Sequence, residues 1–277
     1  MADRELAYLG PAGTFSHLVA RKRFGAAAGR LVPCPSIKAV FTRVGAARAR
    51  LGLVPIENSS GGIIEETVDF LSEPGCPVRI QEELQLRVEL ALLGRKGEKV
   101  RTIYSHFAPL QHCKKWLDRH LPHAERREVA STAAAAQAAA NEPGAVALAA
   151  RHAAALYDLD ILAYPVESDI VNLTSFAVIG PNRRIPPGST RTSYIAELLD
   201  RVGALCSFLE PFRDAGVNLT RIVSRPVIGK PGRYLFLVDI HGTEAEPRVR
   251  TALNRAKAVC ACLRNLGAYP VRRPYVC

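Results

Sequence analysis

A short apolar run that ends in small residues and then opens a helix recurs along this chain, and that junction restricts the fold more than any other feature. Leu6-Ala7-Tyr8-Leu9 stops at Gly10-Pro11-Ala12-Gly13, and Thr14-Phe15-Ser16-His17 then opens a helical stretch to about Phe24. An apolar run this short, closed by Gly and Pro, is a buried strand followed by a turn. Leu51-Gly52-Leu53-Val54-Pro55-Ile56 repeats the pattern through Glu57-Asn58-Ser59-Ser60-Gly61-Gly62 into helical spacing from Ile63 to Leu71. Ser131-Thr132, both good N-cap residues, begin an alanine-rich helix to Ala140 that stops at Asn141-Glu142-Pro143-Gly144. Strands that feed helix N-termini make an α/β architecture, in which small ligands bind at the strands' C-terminal ends. Each junction alone reads equally as a plain turn with a capping hydroxyl. Taken as three, they read as an anion cradle, because a helix N-terminus has unpaired N–H groups and partial positive charge and receives a carboxylate without an arginine.

The remaining elements extend this plan. Val78 to Leu93 is β-rich, with Leu84, Leu86, Val88 and Leu90 alternating with polar residues. Thr102-Ile103-Tyr104-Ser105-His106 leads into a helix through Trp116. Ala145 to Ala150 is a short strand, Arg151 to Tyr157 a short helix and Phe176 to Ile179 a closing strand. The Pro/Gly/Arg stretch from Gly180 to Gly188 continues neither helix nor sheet and marks a domain boundary. Beyond it the spacing predicts strands at Thr192 to Glu197, Val217 to Ser224, Arg233 to His241 and Ala268 to Val271, with helices at Ala204 to Ala215 and Pro247 to Leu263. That order, βαββαβ, is the ferredoxin-like plan, and 277 residues suit two or three domains.

Composition excludes several classes. Hydrophobic residues at 48% and charged residues at 23% are ordinary for a globular chain. With no run of about 18 apolar residues, a membrane span is not expected. The N-terminus MADRELAYLG lacks the basic-then-apolar layout of a secretory signal, so the expected location is cytoplasmic. Seven cysteines without a CxxC pair indicate neither a disulfide framework nor a zinc ribbon. The net charge of +11 is scattered in short groups such as Arg21-Lys22-Arg23 and Arg272-Arg273, which fits attraction of a small dianion better than a nucleic-acid surface.

Tyr8-Leu9-Gly10-Pro11-Ala12-Gly13-Thr14-Phe15-Ser16-His17, Val54-Pro55-Ile56-Glu57-Asn58-Ser59-Ser60-Gly61-Gly62, Ser131-Thr132-Ala133-Ala134-Ala135-Ala136 and Asn172-Leu173-Thr174-Ser175-Phe176 resemble, in order, four motifs of the prephenate dehydratases. Gly203-Ala204-Leu205 and Asn218-Leu219-Thr220-Arg221-Ile222-Val223-Ser224-Arg225-Pro226 resemble the effector motifs of that family's ACT domain. The resemblance implies a two-lobed catalytic domain like a periplasmic binding protein over residues 1–181, with lobe one at about 1–77 plus 162–181 and lobe two at about 78–161. A linker at 182–190 and an ACT domain at 191–277 follow. It implies prephenate as substrate, phenylalanine as effector and a homodimer or homotetramer, with no cofactor and no metal. By the same resemblance Thr174 takes the catalytic role, donating or relaying a proton to the leaving hydroxyl. Thr14, Ser16, Asn58, Ser59, Gly61, Ser131, Thr132, Ser175 and Phe176 are the expected substrate-binding residues. Gly203, Ala204, Leu205, Asn218, Leu219, Ser224, Arg225 and Pro226 are the expected effector residues.

The chain departs from the family's pattern in three places. Ser175 stands where the family has the Arg of Thr-Arg-Phe, Phe107-Ala108-Pro109-Leu110 replaces Pro-Gln-Ala-Leu, and Val223 replaces a Glu. A serine hydroxyl cannot replace a guanidinium as a planar carboxylate clamp. The retained Thr174 and the effector motifs keep prephenate dehydratase as the expected activity, and the missing arginine brings in a non-aromatising prephenate decarboxylase and a non-catalytic metabolite sensor as alternatives. His17 and His106 are expected to be structural hydrogen-bonding residues and Cys113 a buried small hydrophobe. Glu57 either lines the site or caps a strand end.

Overall fold

The computed structural model describes residues 5–25, 30–181, 185–227 and 233–277. Asn182, Arg183 and Arg184 of the expected linker lie outside them.

Lobe one is built on three parallel strands, β1 (Glu5–Leu9), β2 (Arg30–Cys34) and β3 (Leu51–Asn58), with β1 in the middle. A two-residue strand β4 (Gly62–Ile63) folds back on β3, and helices α1 (Phe15–Phe24), α2 (Ile37–Gly45) and α3 (Glu65–Ser72) cover the sheet. β5 (Arg79–Arg87) belongs to this sheet too, although it was expected in lobe two. The chain then crosses over. Lobe two contains β6 (Leu90–Gly94), β7 (Thr102–Ser105), β8 (Glu125–Glu128), β9 (Ala145–Ala150) and β10 (Asp160–Val166), in the order β10-β6-β9-β7-β8. Its helices are α4 (Phe107–His112), α5 (Lys114–His120), α6 (Thr132–Asn141) and α7 (Ala153–Leu156). β11 (Leu173–Gly180) returns to lobe one between β3 and β5.

The crossovers therefore lie near residues 88–89 and 167–172, not at the expected 77/78 and 161/162. Backbone pairing decides this: β5 runs against β11 from Leu173↔Arg87 to Gly180↔Arg79, and β10 runs against β6. The apolar alternation through 78–93 is one pattern in sequence and two strands in space. The expected helix from His106 to Trp116 is interrupted at Cys113, whose φ of −105° and ψ of 16° separate α4 from α5.

The C-terminal domain contains β12 (Arg191–Leu198), α8 (Ala204–Asp214), β13 (Leu219–Pro226), β14 (Tyr234–His241), α9 (Pro247–Lys257) and β15 (Cys260–Tyr269), in the sheet order β13-β14-β12-β15. This is the βαββαβ plan. Its second helix ends at Lys257 rather than Leu263, once its buried stripe of Val249, Ala252, Leu253 and Ala256 is complete. The following residues pair with β12 from Leu198↔Cys260 to Arg191↔Tyr269, so the last strand starts at Cys260 instead of Ala268. Local helix propensity yields here to an open strand edge. Among the described residues no helix is long and apolar enough to cross a membrane.

The sheet of lobe one is the wall between two cores. On one face Tyr8, Leu53, Leu84, Leu86, Phe176 and Val178 pack with Leu92, Ile103 and Leu148 of lobe two. On the other, Val54, Ile56, Ile80, Ala177 and Ile179 pack with Ile195, Leu237, Leu266 and Tyr269 of the C-terminal domain. Each such fully buried large side chain contributes about 1.5–3 kcal/mol. β15 approaches β5 so closely that a Cβ on Gly267, whose φ is +131°, would fall on the backbone of Ile80. After β15 the chain continues along β5, with Glu83 N donating to Pro270 O at 3.0 Å, and β16 (Tyr275–Val276) pairs with Leu86 and Arg87.

Candidate active site between the lobes

β1 and β3 are parallel and β11 runs against β3, so the end of β1, the end of β3 and the start of β11 share one edge of the lobe-one sheet. At that edge Asn58 faces Thr174 across the strands. The Asn58 Oδ1 accepts the backbone N–H of Ser60 at 2.9 Å and of Gly61 at 3.0 Å, together with the Ser60 hydroxyl. Backbone donors fix the amide's orientation, so Nδ2 points the other way. It donates to Asn172 Oδ1 at 2.7 Å and to Thr174 Oγ1 at 2.8 Å. Both amide hydrogens are used, and Thr174 therefore accepts from Asn58 and keeps its own O–H for another partner. Ser59 pins the same edge, with its Oγ donating to Val171 O and accepting from Leu173 N, both at 2.9 Å.

Asn58 and Ser59 were expected at a helix N-terminus, and the structure corrects this. β3 ends at Asn58, the turn leads into β4, and α3 starts only at Glu65, with no side-chain cap and with Glu65 and Glu66 in its first turn. Asn58 takes the two turn N–H groups itself, so the junction is an asparagine turn that holds Thr174 and has no free helix dipole.

The other two junctions are helix N-termini as expected. Thr14 caps α1 by accepting from His17 N at 3.3 Å, and Ser131 caps α6 by accepting from Ala134 N at 3.0 Å. Neither helix has an acidic residue in its first turn, which leaves its positive end uncompensated. The lobes bring these two ends together. Tyr157 Oη of lobe two donates to Ala12 O at 3.1 Å, and a Cβ on Gly13 (φ +91°) would lie 3.1 Å from the Tyr157 ring and 3.7 Å from Ala133 Cβ. The Thr14 hydroxyl is engaged locally, donating to Pro11 O at 3.0 Å, and Ser16 and Thr132 are buried. What these residues offer a ligand is backbone N–H.

Ser175 and Phe176 part company with Thr174 in different ways. Successive side chains on a strand point to opposite faces. Phe176 is on Thr174's side, buried in the core shared with lobe two. Ser175 shares the other face with Ala177 and Ile179, towards the C-terminal domain. It is 7% exposed, its cross-strand neighbours are Glu57 and Gln85, and its Oγ receives Gln85 Nε2 at 3.4 Å. The expectation that Ser175 removes a clamp from the substrate cleft therefore does not hold for this geometry: position 175 lies behind the sheet.

Arginines of the C-terminal domain occupy that rear face. Arg191 Nη1 contacts both oxygens of Glu83 at 2.9 Å, and Arg225 makes a bidentate pair with Asp69 at 2.9 and 2.8 Å and a further pair with Glu65 at 2.9 Å. Arg221 joins Glu57, Glu83 and Asp239. Burial works against its charge, and the carboxylates outweigh burial and hold the guanidinium above its ordinary value. Glu57 thus belongs to the interdomain contact.

The structural reading of the histidines is supported by their contacts. His17 Nδ1 accepts from Gly13 N at 3.1 Å and its ring stacks on Tyr8, while His106 accepts from Ala108 N at 3.4 Å. Cys113 is fully buried, and burial pushes its thiol up to about 12.

Two residues here were not among the expected site residues. Asn172 opens the fourth motif and precedes β11, and its contact with Asn58 puts it at the site. His152, beside His17 with ring centroids 6.1 Å apart, had no signal in sequence. Both its ring nitrogens are buried without a partner among the described residues, and burial, then His17 and Arg21, push it down to about 4. The unfolded chain takes up a proton near pH 6.5 and the folded chain only near 4, so stability falls as pH drops through that window. After discounting for partial exposure the expected loss is about 1–2 kcal/mol. Denaturant unfolding at pH 7 and 4.5 tests this: His152→Gln should flatten the difference, and an equal loss in the variant would contradict it.

In the C-terminal domain Gly203 precedes α8 with φ +76°, and Ala204 and Leu205 line a cavity of about 170 Å³ with Leu198, Tyr234 and Phe236. Pro226 pairs with Tyr234 at this end, whereas Leu219 pairs with Ile240 at the other. The eight-residue strand separates Asn218 from Pro226 by roughly 25 Å. One chain thus brings the Pro226 end of the second motif towards Gly203-Ala204-Leu205 but leaves Asn218 and Leu219 at the far end of β13, and Arg225 is already committed to α3.

Known proteins align with this arrangement. The family model for prephenate dehydratase matches residues 6–184 and that for the ACT domain residues 194–258. A bifunctional chorismate mutase/prephenate dehydratase of Aquifex aeolicus is 39% identical over 268 residues, 96% of this chain and 73% of that protein. A prephenate dehydratase of Amycolatopsis methanolica is 35% identical, covering 95% of this chain and 88% of its own length. The crystal structure of a prephenate dehydratase from Arthrobacter aurescens in complex with L-Phe matches with a TM-score of 0.88 at 31% identity, over 96% of this chain and 90% of that one. Its two lobes, its motif order and these matches along nearly its whole length make the chain a member of the prephenate dehydratase family with a C-terminal ACT domain.

Proposed function

We propose that the chain converts prephenate to phenylpyruvate, carbon dioxide and water, with Thr174 as proton donor. The observation that carries this reading is the saturated Asn58 amide: it donates to Thr174 Oγ1 at 2.8 Å and leaves the hydroxyl proton directed elsewhere. The ring carboxylate leaves as carbon dioxide, its bonding pair enters the ring, and the ring C–O bond breaks as the departing hydroxyl takes the Thr174 proton and leaves as water. Thr174 Oγ1 then regains a proton from solvent. Aromatisation drives the step. The uncompensated N-termini of α1 and α6 suit the substrate's carboxylates, one from each lobe. Ser175, which would favour the decarboxylase or sensor reading if it met the substrate, has its side chain on the far face of β11. Incubating the protein with prephenate tests the proposal. Phenylpyruvate is expected; a non-aromatic dihydro product or unchanged prephenate would contradict it.

Phenylalanine is the effector in this reading, bound near Gly203-Ala204-Leu205, and the protein acts in the cytoplasm. Asn218 lies at the opposite end of β13, so a complete effector site takes Asn218 from a second copy, and the working unit is a homodimer or homotetramer. Sedimentation should give a dimer or larger with and without phenylalanine. A monomer in both conditions would contradict this.

A further inference from the structure

We infer that Arg221 of the ACT domain is a positioning residue for the dehydration, acting through Glu57 on the turn that holds Asn58 and Thr174. The inference rests on the proposed role of Thr174. Arg221 is on β13, inside the second expected effector motif and between its Asn218-Leu219 and Ser224-Arg225-Pro226 ends, and its side chain is 6% exposed. Its guanidinium spans two domains. Nη1 pairs with Asp239 of its own sheet, while Nε and Nη2 contact Glu57 Oε2 of β3 at 3.0 and 2.9 Å, and Nη2 lies 3.5 Å from Glu83 of β5.

The three acids differ in what they need. The side chains of Asp239 and Glu83 are 0% and 2% exposed, so each requires a cation simply to remain buried. The Glu57 side chain is 43% exposed and would be solvated without Arg221. Its ion pair is dispensable for burial, yet it engages the residue directly before Asn58. Glu57 is also the strand partner of Ile63 on one side and Ser175 on the other, which brackets the turn and the Thr174 strand. A planar guanidinium holding one carboxylate through two nitrogens fixes direction as well as distance. A shift of β13 is thus passed through one rigid group to the backbone whose next side chain orients the proton donor.

Replacing Arg221 would strand Asp239 and leave Glu83 with Arg191 as its only cation among the described residues, so the test uses Glu57→Ala, with Glu57→Gln as the conservative variant, in the full chain. Hydrogen exchange at the Ser60 and Gly61 amides, which Asn58 Oδ1 accepts, reports on the turn without requiring turnover. In Glu57→Ala those amides should exchange about tenfold faster, and kcat should fall about tenfold with KM changed less than about twofold. The thermal midpoint should stay within about 2 °C of the parent, and Glu57→Gln should recover part of both effects. Parental exchange at Ser60 and Gly61 would overturn the inference, as would faster exchange with unchanged kcat. If the parent protein itself leaves prephenate intact, the proposed function fails, and the exchange result alone then decides whether the interdomain linkage stands.

Discussion

Thr174→Ala should lower kcat by about a thousandfold while prephenate binding stays within a few-fold of the parent, because a positioned proton donor contributes about 10²–10⁴ in rate. The hydroxyl oxygen is held by Asn58 and the β11 backbone is paired on both sides, so removal of one oxygen leaves the strand in place. Thr174→Ser, which keeps the donor, should recover most of the rate. Titration of substrate against inactive Thr174→Ala, combined with steady-state rates, separates the two quantities. Unchanged turnover would remove Thr174 from the chemistry, and loss of binding with loss of rate would make it a substrate ligand.

Arg221→Met should destabilise the folded chain by about 3–5 kcal/mol, the scale seen when one partner of a buried ion pair is removed. Asp239 would be left with Ser193 Oγ at 2.5 Å and Tyr269 Oη at 3.4 Å as its described partners, and Glu83 with Arg191. Adding Asp239→Leu to that variant should recover part of the loss, since an apolar pair removes the stranded charge. Denaturant unfolding of the single and double variants measures both. A loss below about 1 kcal/mol in Arg221→Met would show that water reaches the cluster and that the pair is worth no more than a surface one.

Much of the candidate edge was legible in sequence because it is local. The opening helix spans Phe15–Phe24 as the Thr14 cap implies, and Ser131 caps α6 where its spacing puts it. Asn58, Ser59 and Thr174 come together as their motifs suggest, although Asn58 works as a turn residue and not as a helix cap. Ser36 as cap with Ile37, Val40, Phe41 and Val44 at helical spacing is a full helix signature, and α2 forms on it.

The non-local features were not legible. Nothing in the even alternation of 78–93 marks the crossover between lobes, because both halves pack into cores. The apolar content of 258–263 suits helix or strand alike, and the open edge of β12 decides. Ser175 shows the limit best. Alternation says that it and Thr174 face opposite ways, but only the packing of Ala177 and Ile179 against the C-terminal domain says which face is the cleft. Arg221 looks like any strand arginine until three carboxylates from three strands converge on it.

The most direct measurement follows both leaving groups at once, with prephenate labelled by ¹³C in the ring carboxylate and ¹⁸O in the ring hydroxyl. Release of labelled carbon dioxide and labelled water in equal amounts, with one rate constant and phenylpyruvate as product, is the expected result. Labelled carbon dioxide released while ¹⁸O stays in a non-aromatic product would contradict it.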